Sequence, residues 1–402
     1  MRVLLIDVNY KYSSTGKIVH DLAHELIASG HQARVLFGRG EPINTDVALR
    51  VSSVWEVYFH ALMTRLTGLI GIFSYFATKR MIKEIKKFKP DVVHLHELHG
   101  YFINYSEIVR FLKNSKIPVV WTFHCEFAYT GKCGYAYDCE KWKTECGTCP
   151  QIKEYPASLH FDFTRYMFNK KKSDFEGFHN LTIVTPSAWL ARRVEQSFLS
   201  KYDIRVIHNG IDTEEIFYPR PCKSNAKGTK KILAVAPDIM SARKGGKWVL
   251  ELARRFGEEL EFTMVGVVEE VAEVPDNVIL VEKTNNQQEL AEYYSDADLF
   301  LICSKRENFP TTCLEALSCG TPVVGFDEGG TAETAPGLLG QFAPFGDLNS
   351  LEIIINDFFA GHSQIDSAQC RPYAEGNYSK QAMYSNYASL YSEVLNKGVT
   401  NE

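Results

Sequence analysis

The chain has 402 residues, 45% hydrophobic and 23% charged, with a formal net charge of −5 at pH 7. This is ordinary globular composition, long enough for two cores, and its acidic balance argues against a nucleic-acid-binding protein. The sign is uneven, +6 over residues 1–220 and −11 over the remainder; two domains with different partners and a plain drift of surface charge both fit that division.

The opening MRVLLIDVNY is an apolar run broken by Asp7, which reads as a buried strand rather than a signal peptide. No run of about 20 apolar residues is present to span a membrane, so a cytoplasmic protein with reduced cysteines is expected. After the first strand (3–8) the pattern predicts a helix over 17–29, stopped by Gly30, and a strand over 33–37. A long helix is predicted over 55–88, followed by a strand at 91–96, a helix at 104–114 and a strand at 118–124. A cysteine-rich loop, a helix near 158–175, a strand at 181–187, a helix at 189–198 and a strand at 205–212 follow. Residues 213–230, with Pro219, Pro221, Ser224 and Gly228, have linker composition. The alternation then restarts: strands at 231–236, 261–266, 277–282, 299–303 and 322–326, and helices at 246–256, 287–296 and 311–319. Helices at 350–360 and 378–396 close the chain. Strands this apolar belong to parallel sheets covered on both faces. The expected fold class is α/β, two tandem doubly wound Rossmann-like domains facing a central cleft. The expected division is an N-terminal domain at 1–212, a C-terminal domain at 213–376, and a last segment, 377–402, returning to the first domain.

The densest chemistry lies in SKRENFPTTCLEALSC (304–319), a strand-to-helix turn. Pro310 suits a first helical turn, whose free amides favour a bound anion. Glu307 precedes that turn, and Glu315 lies five residues past Pro310, about 7–8 Å along the axis. One carboxylate can then meet the sugar end of a ligand and the other its ribose hydroxyls. The Glu-x7-Glu spacing, the continuation CGTPVVGFDEGGTAE (319–333) and HNGID (208–212) together resemble the retaining group 1 glycosyltransferases of family 4 with the GT-B fold.

The resemblance implies that Glu315 binds donor ribose and that Glu307 contacts the donor sugar. It implies that Asn308, Phe309, Pro310 and Thr311 present backbone to sugar and phosphates, that Thr312 adds a hydroxyl, and that Asn209 of HNGID lies on the donor side. The family neutralises the departing diphosphate with protein cations rather than a metal. In APDIMSARKGG (236–246) Lys244 matches one of them. The other falls where this chain has Pro237 and Asp238, so Arg243 is the candidate substitute.

In the first half, YSSTGKIVHDLA (12–23) places Gly16 in the turn where the family's backbone approaches phosphate. DVVHLHELHGYFIN (91–104) and PVVWTFH (118–124) resemble the capsule and exopolysaccharide (colanic-acid type) subgroup. His124 is implied to meet the donor sugar or line the acceptor pocket, with His99 also on the acceptor side. Where the family has Asp after His, this chain has Cys125; either Glu126 takes over or acceptor handling differs. His94 and His96 read better as buried strand histidines than as metal ligands.

Two further features stand apart. Cys133, Cys139, Cys146 and Cys149 in CGYAYDCEKWKTECGTCP (133–150) fit a structural four-cysteine zinc site, free thiols or a disulfide pair. The apolar, then basic stretch 55–89 fits a helix on an anionic membrane surface as well as one packed on the sheet with a solvated end. The expected function is transfer of a hexosyl group from a nucleoside-diphosphate sugar to a saccharide or lipid-linked acceptor in cell-surface polysaccharide biosynthesis. No cofactor is required, and peripheral contact with the inner face of the plasma membrane is allowed. A nucleotide-sugar epimerase and a non-catalytic scaffold of the same fold are the rival readings.

Overall fold

The computed structural model of the protein describes residues 1–221, 228–284 and 286–399; residues 222–227 of the expected linker lie outside them. The chain forms two compact units, residues 1–208 with 383–402, and residues 209–382.

The first unit runs β1 (Arg2–Asp7), α1 (Ser13–Ala28), β2 (Gln32–Phe37), β3 (Ala48–Arg50), α2 (Val54–Thr67), α3 (Tyr75–Phe88), β4 (Val92–Leu95), α4 (Tyr105–Asn114), β5 (Val119–Thr122), α5 (Thr164–Phe175), β6 (Leu181–Thr185), α6 (Ala188–Glu195) and β7 (Asp203–Val206). Its strands pair in parallel in the order β3-β2-β1-β4-β5-β6-β7. The two-residue period of β1 explains why both faces are covered. Leu4 and Ile6 enter one core with Met81 and Ile108, while Val3 and Leu5 enter the other with Ile18 and Leu22.

The second unit runs β8 (Lys230–Val235), α7 (Gly246–Phe256), β9 (Leu260–Val265), β10 (Val278–Val281), α8 (Gln287–Asp296), β11 (Leu299–Ile302), α9 (Thr311–Ser318), β12 (Val323–Asp327), β13 (Gly340–Pro344), α10 (Leu348–Phe359) and α11 (Ser367–Tyr378). Its parallel sheet has the order β10-β9-β8-β11-β12-β13. The same alternation sends Ile232 and Ala234 to one core and Leu233 to the other.

The structure departs from the periodicity at three places. The helix expected over 55–88 is two helices. Gly68, at φ 74°, closes α2 with its N–H on Thr64 O at 2.8 Å, and a Cβ there would lie 2.4 Å from Phe161 O. The edge strands β3, only three residues long, and β13, with Gly340 and Pro344 at its ends, carry little pattern of their own. Helix α11 (Ser367–Tyr378) was not expected, and the closing helix expected over 378–396 forms as α12 (Lys380–Val399).

Helix α12 joins the first unit's core through Met383, Tyr387, Leu390, Tyr391 and Val394. Polar bonds fix its register. Tyr391 Oη meets His94 Nδ1 at 2.6 Å, and Thr122 Oγ1 links His94 Nε2 and Tyr387 Oη at 2.8 Å each. His94 is thereby satisfied from both ring nitrogens. Among the described residues no helix is long and apolar enough to cross a membrane.

Because α12 covers one face of the first sheet, Leu390→Ala is expected to destabilise that unit by about 2–5 kcal/mol. The exposed control Trp55→Ala should stay within about 0.5 kcal/mol of wild type. Urea unfolding followed by circular dichroism checks both.

Candidate active site

In the second unit the sequence-predicted residues gather past the carboxyl ends of β8 and β11, where ligands bind in open parallel sheets. The turn after β8 delivers Arg243 and Lys244. It is drawn against the end of β11 by Gly245, at φ 77°, where a Cβ would fall 2.1 Å from Cys303 O. Arg243 Nη1 and Lys244 Nζ reach the same oxygen, Glu307 Oε1, at 2.7 and 2.6 Å. Arg243 also donates to Arg306 O at 3.1 Å. Burial alone would raise the Glu307 carboxyl, but Lys244 and then Arg243 outweigh it and hold it below the usual carboxylate range. The Glu307 backbone is fixed too: its carbonyl accepts Gly330 N–H at 3.0 Å, and a Cβ at Gly329 would meet that carbonyl at 2.0 Å.

Pro310 precedes α9, and no side chain caps that helix start. Its first amides, at Thr311 and Thr312, are the positive end of the helix. Phe309 is buried, 5.7 Å from the Tyr378 ring, and Asn308 is buried beside it. Glu315 sits one turn into α9, buried, accepting from Tyr294 Oη at 3.0 Å. Asn209 Nδ2 donates to Phe309 O at 3.3 Å, so this side chain holds the anion-facing turn in place. Two cations, a helix start and two acidic groups thus share one unit, an arrangement suited to a diphosphate flanked by hydroxylated rings.

In the first unit, Gly16 is buried in the first turn of α1. A Cβ there would lie 3.2 Å from Asn9, and Lys11 N–H closes the preceding loop on Gly16 O at 3.1 Å. The end of β1 carries Asp7, which sequence reasoning treated only as a break in an apolar run. Its fully buried carboxylate accepts the amides of Asn9 at 2.9 Å and Glu97 at 3.0 Å, and burial pushes its pKa up to about 7.

His124 Nε2 lies 3.0 Å from His96 Nδ1, with the rings stacked. Burial holds His124 down to about 4, so it is a neutral imidazole at pH 7. His99 is ion-paired with Glu97, and its ring also lies 3.5 Å from Tyr155 Oη. Burial opposes both charges, but the pairing lowers Glu97 to about 2 and raises His99. Cys125 Sγ is 3.4 Å from Glu97 Oε2. The carboxylate beside Cys125 therefore comes from the neighbouring strand end, and Glu97 is the residue that sequence reasoning missed. The acidic residue at position 97 was visible; its meeting with Cys125 across the β4–β5 pair was not.

Glu126 is placed differently from its expected acceptor-side position. Only 1% exposed, it binds Arg193 Nε at 2.7 Å, Tyr129 Oη at 3.0 Å and Ala136 N–H at 2.6 Å. It anchors the cysteine loop. Cys133, Cys139, Cys146 and Cys149 line one cavity there. Among the described residues, the potential ligands whose donor atoms all lie within 4.8 Å of one another are Glu97, His99 and Cys125; no three of the loop sulfurs approach as closely.

Comparison with known proteins bears directly on this geometry. Residues 15–215 match the family described as Glycosyltransferase Family 4, and residues 222–356 match Glycosyl transferases group 1. The chain is 30% identical to the putative colanic acid biosynthesis glycosyl transferase WcaC of Escherichia coli (strain K12), over 81% of this chain and 82% of that protein. It is 24% identical to the N-acetyl-alpha-D-glucosaminyl L-malate synthase of Bacillus anthracis, over 95% and 94%. Among solved structures, the sucrose-phosphate synthase of Thermosynechococcus elongatus aligns with a TM-score of 0.69 at 16% identity, covering 98% of this chain and 99% of that one. The Anabaena protein HepE in complex with UDP and glucose aligns at 0.64 and 13%, covering 98% and 100%. The folds agree across both units, and the family descriptions span the stretches that carry the two clusters. The chain is a GT-B-fold glycosyltransferase belonging to family 4 of the group 1 enzymes.

Proposed function

We propose that the protein transfers a hexosyl group, with retention at the anomeric carbon, from a nucleoside-diphosphate sugar to a saccharide or lipid-linked acceptor of a cell-surface polysaccharide. The observation that carries this reading is the convergence of Arg243 and Lys244 on Glu307 Oε1. As the sugar leaves the donor, negative charge grows on the diphosphate, and fixed cations beside it lower the barrier. Arg243 supplies the second cation of the pair, which makes added divalent metal unnecessary for that task. The start of α9 adds amide donors, and Glu315 accepts from ribose hydroxyls. Glu307, held ionised with its charge shared by two cations, is a poor nucleophile and a good acceptor for sugar hydroxyls. Retention then follows from attack by the acceptor hydroxyl on the face the diphosphate leaves, its proton passing to the departing phosphate.

On the acceptor side, neutral His124 offers hydrogen bonds to sugar hydroxyls, and Glu97 supplies the carboxylate in place of the family's aspartate. The relative from Escherichia coli is described by its role in colanic acid biosynthesis, and HepE binds UDP and glucose. These support a hexosyl donor and an exopolysaccharide product.

The exposed face of α2 supports a peripheral site of action at the cytoplasmic face of the membrane. Trp55 is 83% exposed, and Tyr58, Phe59 and Leu62 are exposed beside it. Leu159 N–H bonds Arg65 O at 2.9 Å, which brings exposed Leu159 and Phe161 to the same end of the helix. Helix α3 adds Lys79, Lys83, Lys86 and Lys87. An aromatic face with neighbouring lysines matches an anionic lipid surface.

Three outcomes test this reading. Lys244→Met is expected to lower kcat about 10²–10³-fold, and Glu315→Ala to weaken donor binding about 10–100-fold. Thermal shifts with UDP- and GDP-sugars and turnover without added Mg²⁺ or Mn²⁺ measure both. The product anomer is read by NMR; inversion, or sugar conversion without an acceptor, overturns the proposal.

The Glu97–His99 pair predicts a pH signature. Glu97, lowered in the folded state, contributes stability above its unfolded pKa of about 4.3, lost as pH falls toward 2. His99, raised, contributes stability below about 6.5, lost as pH rises through its folded value. Glu97→Gln should flatten both limbs in melts between about pH 3 and 9 and lower kcat. Finally, replacing Trp55 and Phe59 by Ser should weaken sedimentation with phosphatidylglycerol vesicles about tenfold or more, and salt should weaken wild-type binding; equal binding to phosphatidylcholine vesicles would remove the lysines from the account.

A further inference from the structure

The cysteine loop is absorbed by none of this chemistry, and its build is unusual. Between β5 and α5 the chain runs for some forty residues whose only helical elements are two single turns, Phe127–Tyr129 and Lys141–Lys143. A segment of that length without regular elements needs a staple. Part of the holding is visible. Lys132 Nζ donates to the carbonyls of Gln151, Ile152 and Glu154 at 2.8, 2.8 and 2.7 Å, and Lys171 Nζ of α5 donates to Phe127 O and Thr130 O at 2.6 and 3.0 Å. Both ammonium groups are buried, which is costly without negative charge nearby.

The four thiols would supply that charge once a bound cation converts them to thiolates. Cys133, Cys139, Cys146 and Cys149 line one cavity of about 20 Å³ against buried Trp142 and Ala136. That space admits a single ion. Gly131 N–H donates to Cys146 Sγ at 3.2 Å, a bond a metal-held thiolate could keep, and Cys149 N–H is fixed on Asp162 Oδ2 at 2.6 Å. Lys132 acts electrostatically on Cys133 and Cys149, and Lys171 on Cys133 and Cys146. Four thiolates around a divalent ion carry a net charge of about −2, which two buried ammonium groups offset.

We propose that Cys133, Cys139, Cys146 and Cys149 bind one zinc ion as a structural, four-thiolate site that staples this loop. At Zn–S distances of about 2.3 Å, neighbouring sulfurs sit about 3.8 Å apart. No three of the loop sulfurs lie within 4.8 Å of one another, so binding draws the loop inward by rotation of the side chains that line the cavity, and the thiol protons pass to solvent. With four protein ligands the ion has no open position, and its role is to hold the loop. The loop's far end carries Tyr155 against His99, so the staple also sets a wall of the first unit's polar cluster. The inference does not rest on the transferase reading, because metal content is measured without substrate.

The test uses the full chain purified in reducing buffer without chelator. Elemental analysis should give about one zinc per chain, and mercurial titration followed with a chromogenic chelator should release it as about four thiols react. Cys139→Ser with Cys149→Ser should lower bound zinc at least about tenfold, while Cys370→Ser, in α11, keeps it. Should the double variant fail to fold, Co²⁺ exchanged into the wild-type chain decides: thiolate charge-transfer absorption with tetrahedral ligand-field bands supports the site, and their absence overturns it. Iron in place of zinc, less than about half an atom of zinc per chain, or a Cys133–Cys149 disulfide found by non-reducing alkylation and mass spectrometry would each overturn it as well.

Discussion

The second unit is organised around a charge problem. Glu307 is a carboxylate with little access to water, and such a group persists ionised only where cations meet it. Arg243 and Lys244 do so from one turn, and that turn reaches them only because Gly245 lets its backbone press against the end of β11. The same close approach on the other side, Gly329 against the Glu307 carbonyl, leaves the carboxylate little freedom. In the proposed reaction such a site is preorganised, its positive charge already held in place where charge on the leaving group would develop.

The first unit solves a related problem with different residues. Asp7, Glu97, His99 and Cys125 meet where β1, β4 and β5 end, and each constrains the next. Asp7 holds the Glu97 amide, Glu97 pairs with His99, and Cys125 points its thiol at the same carboxylate. Cys125 follows the histidine in sequence, and the carboxylate that meets its thiol in space, Glu97, comes from the end of the neighbouring strand. Helix α12 supports this cluster from below through Tyr391, His94 and Thr122, so the far end of the chain stiffens the strands that carry it.

Glu126 and the cysteine loop show how a residue next to the chemistry can serve architecture. Its carboxylate is fully engaged by Arg193, Tyr129 and the Ala136 amide. The loop it anchors is a long irregular excursion held by buried side chains reaching backbone carbonyls, an economical way to satisfy groups that no sheet or helix pairs.

The order of strands and helices, the parallel sheets and the placement of Glu307, Glu315 and Lys244 near strand ends were legible in the sequence, because period-two and period-3.6 patterns are local and strand-to-helix turns carry their own residue signature. The break at Gly68, the edge strands β3 and β13 and helix α11 were not, because each depends on what packs against it. Tertiary structure alone decided that Arg243 joins Lys244 on one oxygen, that Glu97 rather than Glu126 stands beside Cys125, and that Asn209 holds the turn before α9. These are meetings between segments from 28 to 100 residues apart; a one-dimensional pattern records which groups are present, and only the register of neighbouring strands fixes which of them touch.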